Sequence, residues 1–315
     1  MRTLAQLLLP LVLVLLAGCE NGGPGTGPSA GSLPVRYEPL PDASAGSSKS
    51  GGLLYVADYL NAIVLIYRES GRNRAPIGQI TQGLYYPASI AFDPAGNLYV
   101  VNDPGNVQIY PPGATKPTRM LSPRVYSDSV AAGGDGTIYV GTDCSGCTEK
   151  VDAFRGGASA PWYAISDPQV AIVRGMAVDA ANNLYVAHTT PQETSRISVF
   201  PQGSTGPGKD LGLSFKAAVG LAFDAKGNML VADVLANEVY VFSPGSTTPI
   251  QKISTPPGPW NLAFNAAQTR LYVNQNRQTP QVDVFSYPQG KLTETIPLIP
   301  GADADGVAIS PVLAK

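Results

Sequence analysis

Six times along this chain an alanine stands between two apolar residues: Ile90-Ala91-Phe92, Val130-Ala131-Ala132, Met176-Ala177-Val178, Leu221-Ala222-Phe223, Leu262-Ala263-Phe264 and Val307-Ala308-Ile309. A second column sets Tyr or Leu before Val at Val56, Val100, Val140, Val186, Val231 and Val273, so the unit returns every 40 to 46 residues. That period belongs to propeller blades. A third column reads IVLIY (63–67), VQIY (107–110), VDAF (151–154), ISVF (197–200), VYVF (239–242) and VDVF (282–285), and a looser fourth run follows, as in PIGQI (76–80). Four short apolar or alternating runs separated by Gly, Asn, Asp and Pro predict four antiparallel strands per unit. Gly96-Asn97 and Gly227-Asn228 supply the positive φ that tight hairpins need. Radial repetition covers the faces of such sheets, and the alanine column is small because blades crowd at their innermost strands. The first Tyr-Val pair has no alanine strand before it, and the last alanine strand has no Tyr-Val pair after it. The expected fold is therefore all-β, a six-bladed β-propeller over residues 52–315 with four-stranded blades, closed by the C-terminal strand completing blade 1.

The units AFDPAGNLYVVNDPGNVQIY and AFDAKGNMLVADVLANEVYVF resemble NHL repeats, and TRLYVNQN is similar to the related YVTN variety. The resemblance implies a propeller and says little about activity, because one fold hosts many functions. Blade 3 departs from the pattern, with Gly133 where other blades have Asp93, Asp179 or Asp224. The pairs Asp58 with Asn61, Asp103 with Asn106 and Asp233 with Asn237 read as loop braces, since such side chains bond nearby backbone N–H groups.

Ahead of the repeats, Met1-Arg2, an apolar core from Leu7 to Leu16 and the small pair Ala17-Gly18 have the layout of a secretory signal peptide over residues 1–18. The apolar run is about half the ~20 residues a membrane-spanning helix needs. LLAGC resembles the lipobox of bacterial lipoproteins, which implies that Cys19 is acylated and becomes the mature N-terminus. Two or three acyl chains hold firmly where one binds reversibly. Glu20 stands where an Asp commonly signals inner-membrane retention, so the expected address is the cell envelope, at the outer membrane in a Gram-negative cell. Residues 19–51 then form a lipidated tether rich in Gly, Pro and Ser. The partners expected are the membrane, through the anchor, and an envelope protein or extracellular ligand.

A formal net charge of −2 with only 14% charged residues leaves no basic footprint for nucleic acid. NHL-type amidating lyases hold zinc with three His, whereas this chain has only His188, predicted in a solvated loop, AHTTPQETSR. After Cys19, two cysteines remain, Cys144 and Cys147, and an exported protein is expected to join them in a local disulfide. No catalytic residue, cofactor or metal is assigned.

Counting three residues back from each alanine gives the channel mouth, with Asp128, Arg174, Trp260 and Asp305, and Asn261 lies one residue further on. The loops after each second strand add Tyr59, Asp103, His188, Asn276 and Arg277. These residues form the candidate binding face of a protein- or ligand-binding, scaffolding module. The alternative is a metal-dependent lactonase- or lyase-like enzyme at the mouth. Its ligand set is thin, because Ca²⁺ takes 6 to 8 oxygens and Arg174 is expected beside Asp128 to compete with a cation.

Overall fold

The computed structural model describes residues 52–69, 75–103, 105–124, 126–144, 146–156, 158–276, 280–299 and 301–311. The segments expected to be a signal peptide (1–18) and a tether (19–51, with Cys19) and the residue Arg277 lie outside them.

Six sheets of four antiparallel strands form a propeller, and each unit of the repeat builds one of them. Blade 1 contains β1 (Leu53–Asp58), β2 (Ile63–Arg68) and β3 (Gly78–Ile80); blade 2 contains β4 (Pro87–Phe92), β5 (Leu98–Asn102), β6 (Val107–Tyr110) and β7 (Arg119–Leu121). Blade 3 runs β8 (Ser127–Ala132), β9 (Ile138–Thr142), β10 (Glu149–Phe154) and β11 (Tyr163–Ser166), and blade 4 runs β12 (Ile172–Val178), β13 (Leu184–Thr189), β14 (Ser195–Phe200) and β15 (Lys209–Asp210). Blade 5 is β16 (Ala218–Phe223), β17 (Met229–Asp233), β18 (Glu238–Phe242) and β19 (Gln251–Ser254); blade 6 is β20 (Pro259–Phe264), β21 (Arg270–Gln275), β22 (Gln281–Ser286) and β23 (Lys291–Pro297). The last strand, β24 (Ala304–Ile309), joins blade 1 inside β1, pairing Leu54 with Ile309, Tyr55 with Ala308 and Val56 with Val307. Closure by the C-terminal strand is therefore as expected.

The core is divided into six layers, each between two neighbouring blades. The layer between blades 1 and 2, for example, packs Tyr55, Val64, Ile66 and Ala308 against Ile90, Leu98, Val100 and Tyr110. One alanine of the repeated column sits in or against every layer, where a larger side chain would push the inner strands apart. Because each sheet is covered on both faces, its second strand is mostly buried, and β5, β9 and β17 are buried at every position. This explains why those stretches read as continuous apolar runs rather than alternating ones.

Turn chemistry fixes the hairpins between first and second strands. Asp93 accepts from Asn97 N–H at 2.8 Å and from its side-chain amide at 2.7 Å, and the same pair of bonds recurs at Asp179 with Asn183 and at Asp224 with Asn228. In blade 3 the carboxylate comes from Asp135 instead, which accepts from Thr137 N–H and Oγ1; a Cβ at Gly133 would lie 2.6 Å from Asp135 Oδ1. Glycine stands at the irregular position because the replacement carboxylate occupies the space its side chain would need.

The expected Cys144–Cys147 disulfide is formed, with Cα atoms 5.4 Å apart. The buried Lys150 ammonium donates to the Cys144 carbonyl at 3.1 Å and to the Ala171 carbonyl of the next blade at 3.2 Å.

Candidate functional site

The innermost strands all begin at one face of the ring, and each carries a β-bulge in its first half. Register shifts fall between Pro87 and Ser89, Ser127 and Ser129, Val173 and Gly175, Ala218 and Leu221, and Pro259 and Leu262. In blade 1 Ala57 pairs with Gly306 and Asp58 with Ala304, leaving Asp305 as the extra residue. A bulge re-aims the unpaired side chain. Ala88, Asp128, Arg174, Trp260 and Asp305, all at or within bulges, line one central cavity of about 300 Å³.

The next residue along explains how the blades meet there. A Cβ on Gly175 would lie 1.8 Å from the Val219 carbonyl oxygen of the next blade, and one on Gly220 would lie 2.3 Å from the Trp260 carbonyl oxygen. Where the position carries a side chain, it bonds across the same gap. Asn261 Nδ2 donates to the Asp305 carbonyl at 3.0 Å, and Ser89 Oγ accepts from Val130 N–H at 3.3 Å.

The sequence-derived residues converge only in part. Tyr59 follows β1, stacks on Tyr86 with ring centroids 4.9 Å apart, and donates its hydroxyl to Asp103 Oδ2 at 2.9 Å. Burial and the neighbouring Asp103 raise its pKa. Asn276 donates its side-chain amide to Asp305. Asp143, Asp303 and Asp58, which the sequence reading did not place here, add charge to the group: Asp143 raises Asp128, whereas Asp303 and Asp58 raise Asp305. Asp128 is pushed up to about 7, chiefly by desolvation and then by Asp143 and Asp103, while Arg174 opposes the shift. Asp305 is also raised well above the usual carboxylate range by burial and by four carboxylates around it. Arg174 lines the same cavity as Asp128, and its Nε donates to Thr189 Oγ1 at 3.4 Å.

Two readings are corrected. His188 is not in a solvated loop: β13 continues through Thr189, pairs His188 with both Val173 and Arg196, and leaves it only 1% exposed, with Nε2 3.0 Å from Ser198 Oγ. Burial lowers its pKa, and it belongs to the blade rather than to a binding face. Asp103 is not the brace of its loop either. Asn102, one residue earlier and last in β5, accepts from Tyr85 N–H and donates to Gly83 O and Asn106 Oδ1, as Asp58 and Asp233 brace theirs. That offset releases Asp103 toward Tyr59.

The raised carboxyl at Asp128 has a measurable consequence. Its neutral form suits the folded site, so its contribution to stability is present below the ordinary carboxylate range near ~3.9 and is lost as pH rises through about 7. Asp128→Asn keeps the neutral shape and is expected to stabilise the protein by about 1–2 kcal/mol at pH 8, with little effect at pH 4. Urea titrations at the two pH values check this, and an equal gain at both would remove the titration.

Among the described residues no three His, Cys, Asp or Glu side chains are grouped to hold a metal ion. The described chain is thus a six-bladed β-propeller with a polar, carboxylate-rich mouth at one end of its channel. No protein-family model matches it, and no curated protein sequence does. Among solved structures it is similar to a chain of a nidogen/laminin complex (TM-score 0.64, 15% identity, 84% of this chain and 100% of that one). A protein of unknown function from Bacteroides caccae gives a TM-score of 0.63 at 12% identity, covering 83% of this chain and 99% of that one. Hydrazine synthase of Kuenenia stuttgartiensis gives 0.58 at 15% identity, covering 78% and 80%. At these identities the likeness is one of fold.

Proposed function

We propose that the chain is an NHL-like propeller lipoprotein, held to the cell envelope through acylated Cys19, which binds a protein partner with its mouth face. The observation that carries the binding reading is the convergence of the bulged Asp128, Arg174, Trp260 and Asp305 on one cavity. Among the described residues lining the mouth, carboxylates outnumber guanidinium groups, so the group that enters is cationic, such as a lysine or arginine side chain. Its charge would replace protons on the raised carboxyls, and binding near neutral pH would release them.

Exposed apolar side chains support a protein as the partner. Leu60, Tyr85, Tyr126 and Leu235 all stand on loops of this same face and remain open to solvent. Tyr, Trp and Arg around a pocket are the residue types that tend to carry binding energy, and loops on a rigid scaffold are where binding residues concentrate. One similar structure is itself part of an assembly between proteins, the nidogen/laminin complex.

The test is recovery of envelope partners on the purified protein, comparing wild type with a Trp260→Ala, Arg174→Ala double variant of matched melting temperature. Loss of a specific captured protein from the variant is expected. Equal recovery would place the interaction elsewhere.

A further inference from the structure

A second cavity, of about 570 Å³, opens at the opposite face, between blades 3 and 4. Its wall comes from the turn after β8 (Asp135, Thr137), the segment joining β10 to β11 (Arg155, Trp162), the start of β11 (Tyr163) and the turn after β14 (Gln202). The volume lies within the roughly 300–1,000 Å³ of small-molecule sites. We infer that this cleft is a saccharide-binding site, with Trp162 as the platform for one sugar ring. It is separate from the mouth and does not depend on the reading proposed for that face.

Trp162 is 52% exposed, yet it is held in place. Its backbone N–H donates to Ala153 O at 2.7 Å, its ring meets Tyr163 edge to face with centroids 5.0 Å apart, and the Arg155 guanidinium lies 3.5 Å from the ring centroid. A large aromatic surface fixed before binding loses little freedom when a ligand arrives. The guanidinium covers one face of the ring and leaves stacking to the other, and among the described residues Arg155 makes no ion pair, so its in-plane N–H groups are free to donate to a ligand.

The polar wall is preorganised as well. Asp135 is held below the usual carboxylate range by the Thr137 and Gln202 bonds despite the cost of burial, and is therefore ionised. Gln202 Nε2 donates to Asp135 at 2.7 Å, which fixes the amide and turns its carbonyl oxygen away from that bond. The cleft therefore offers an apolar ring face, guanidinium donors and an amide acceptor side by side. A pyranose matches this combination, because one face carries C–H groups while its rim carries hydroxyls that both donate and accept. The ionised Asp135 beside Arg155 disfavours a simple anion, and the polar walls disfavour a purely apolar ligand.

Isothermal titration of the full chain with a panel of methyl glycosides and β-linked disaccharides of glucose, galactose, N-acetylglucosamine and glucuronic acid tests the inference, with glycerol as a polyol control. Saturable binding in about the millimolar range is expected for at least one sugar. Trp162→Ala is expected to abolish it and Arg155→Ala to weaken it at least tenfold; both side chains are exposed, and unchanged melting curves verify the fold. Lys226→Ala, an exposed side chain in the turn between β16 and β17 and outside both cavities, is expected to bind the sugar as wild type does. Absence of saturation across the panel would overturn the site, as would equal heats with glycerol or binding that survives in both cleft variants.

Discussion

A chain lacking residues 301–315 is expected to show no cooperative unfolding transition and to associate in solution, although β24 contributes only six residues to the ring. Its removal strips one whole edge from β1 and uncovers Leu54 and Val56, both fully buried, together with the apolar layers on either side of blade 1. The strand itself buries Val307 and Ala308 and packs Ile309 against one layer. Each large apolar side chain returned to water costs about 1.5–3 kcal/mol, and a broken ring also leaves a long unpaired strand. The combined loss is comparable with the ~5–15 kcal/mol that holds a typical domain together. Circular dichroism melts and size-exclusion chromatography check the result, and a synthetic peptide of residues 301–315 is expected to restore the transition by adding back the strand. A truncated chain that melts at the parent temperature would contradict this account of blade 1.

The smallest substitution with a large expected effect is Gly175→Ala. The new Cβ would lie 1.8 Å from a backbone oxygen of the next blade, and no side chain can move aside to relieve that contact. Blades 4 and 5 must separate locally, which disturbs the layer containing Ala187, Leu221 and Val231. Overpacking of this kind costs about 1–3 kcal/mol and occasionally more; the backbone contact puts this case at about 3 kcal/mol or above, a fall in melting temperature of roughly 6–12 °C for a domain of this size. Gly220→Ala is expected to behave alike, with its Cβ 2.3 Å from the Trp260 carbonyl oxygen. Gly206→Ala is the control, since nothing lies within 4 Å of its added Cβ. Similar melting curves for all three would show that the blades are less tightly apposed.

The repeat makes most of the architecture legible in the sequence. The columns of alanine, Tyr-Val and the third strand locate blades directly, because every blade faces the same packing problem and solves it with the same residue types. The mouth was legible as a set of positions: counting back from alanine reached Asp128, Arg174, Trp260 and Asp305. What placed them there was not. The bulge has no residue signature, being occupied by Asp in blade 3, Arg in blade 4 and Ala in blade 2, so its inward turn appears only in the strand register. Asp143 was hidden beside Cys144, in a stretch already claimed by the disulfide. His188 misled because the polar run HTTPQETSR looks like a loop from its composition, whereas β13 and β14 keep pairing beyond the apolar column. A shift of one residue, Asn102 for Asp103, was enough to exchange a brace for a mouth carboxylate.

The position of β1 governs how the ring would respond to a mechanical load. It lies inside its sheet, antiparallel to both β24 and β2, and the described chain reaches it from Gly52 at the end remote from the mouth. A force applied at Gly52 and resisted at the mouth loops acts along the strand and strains the rungs on both of its sides at once, in shear, instead of opening them singly like a zip. Loaded between these two ends, the ring would thus hold until many rungs fail together, and then give way abruptly.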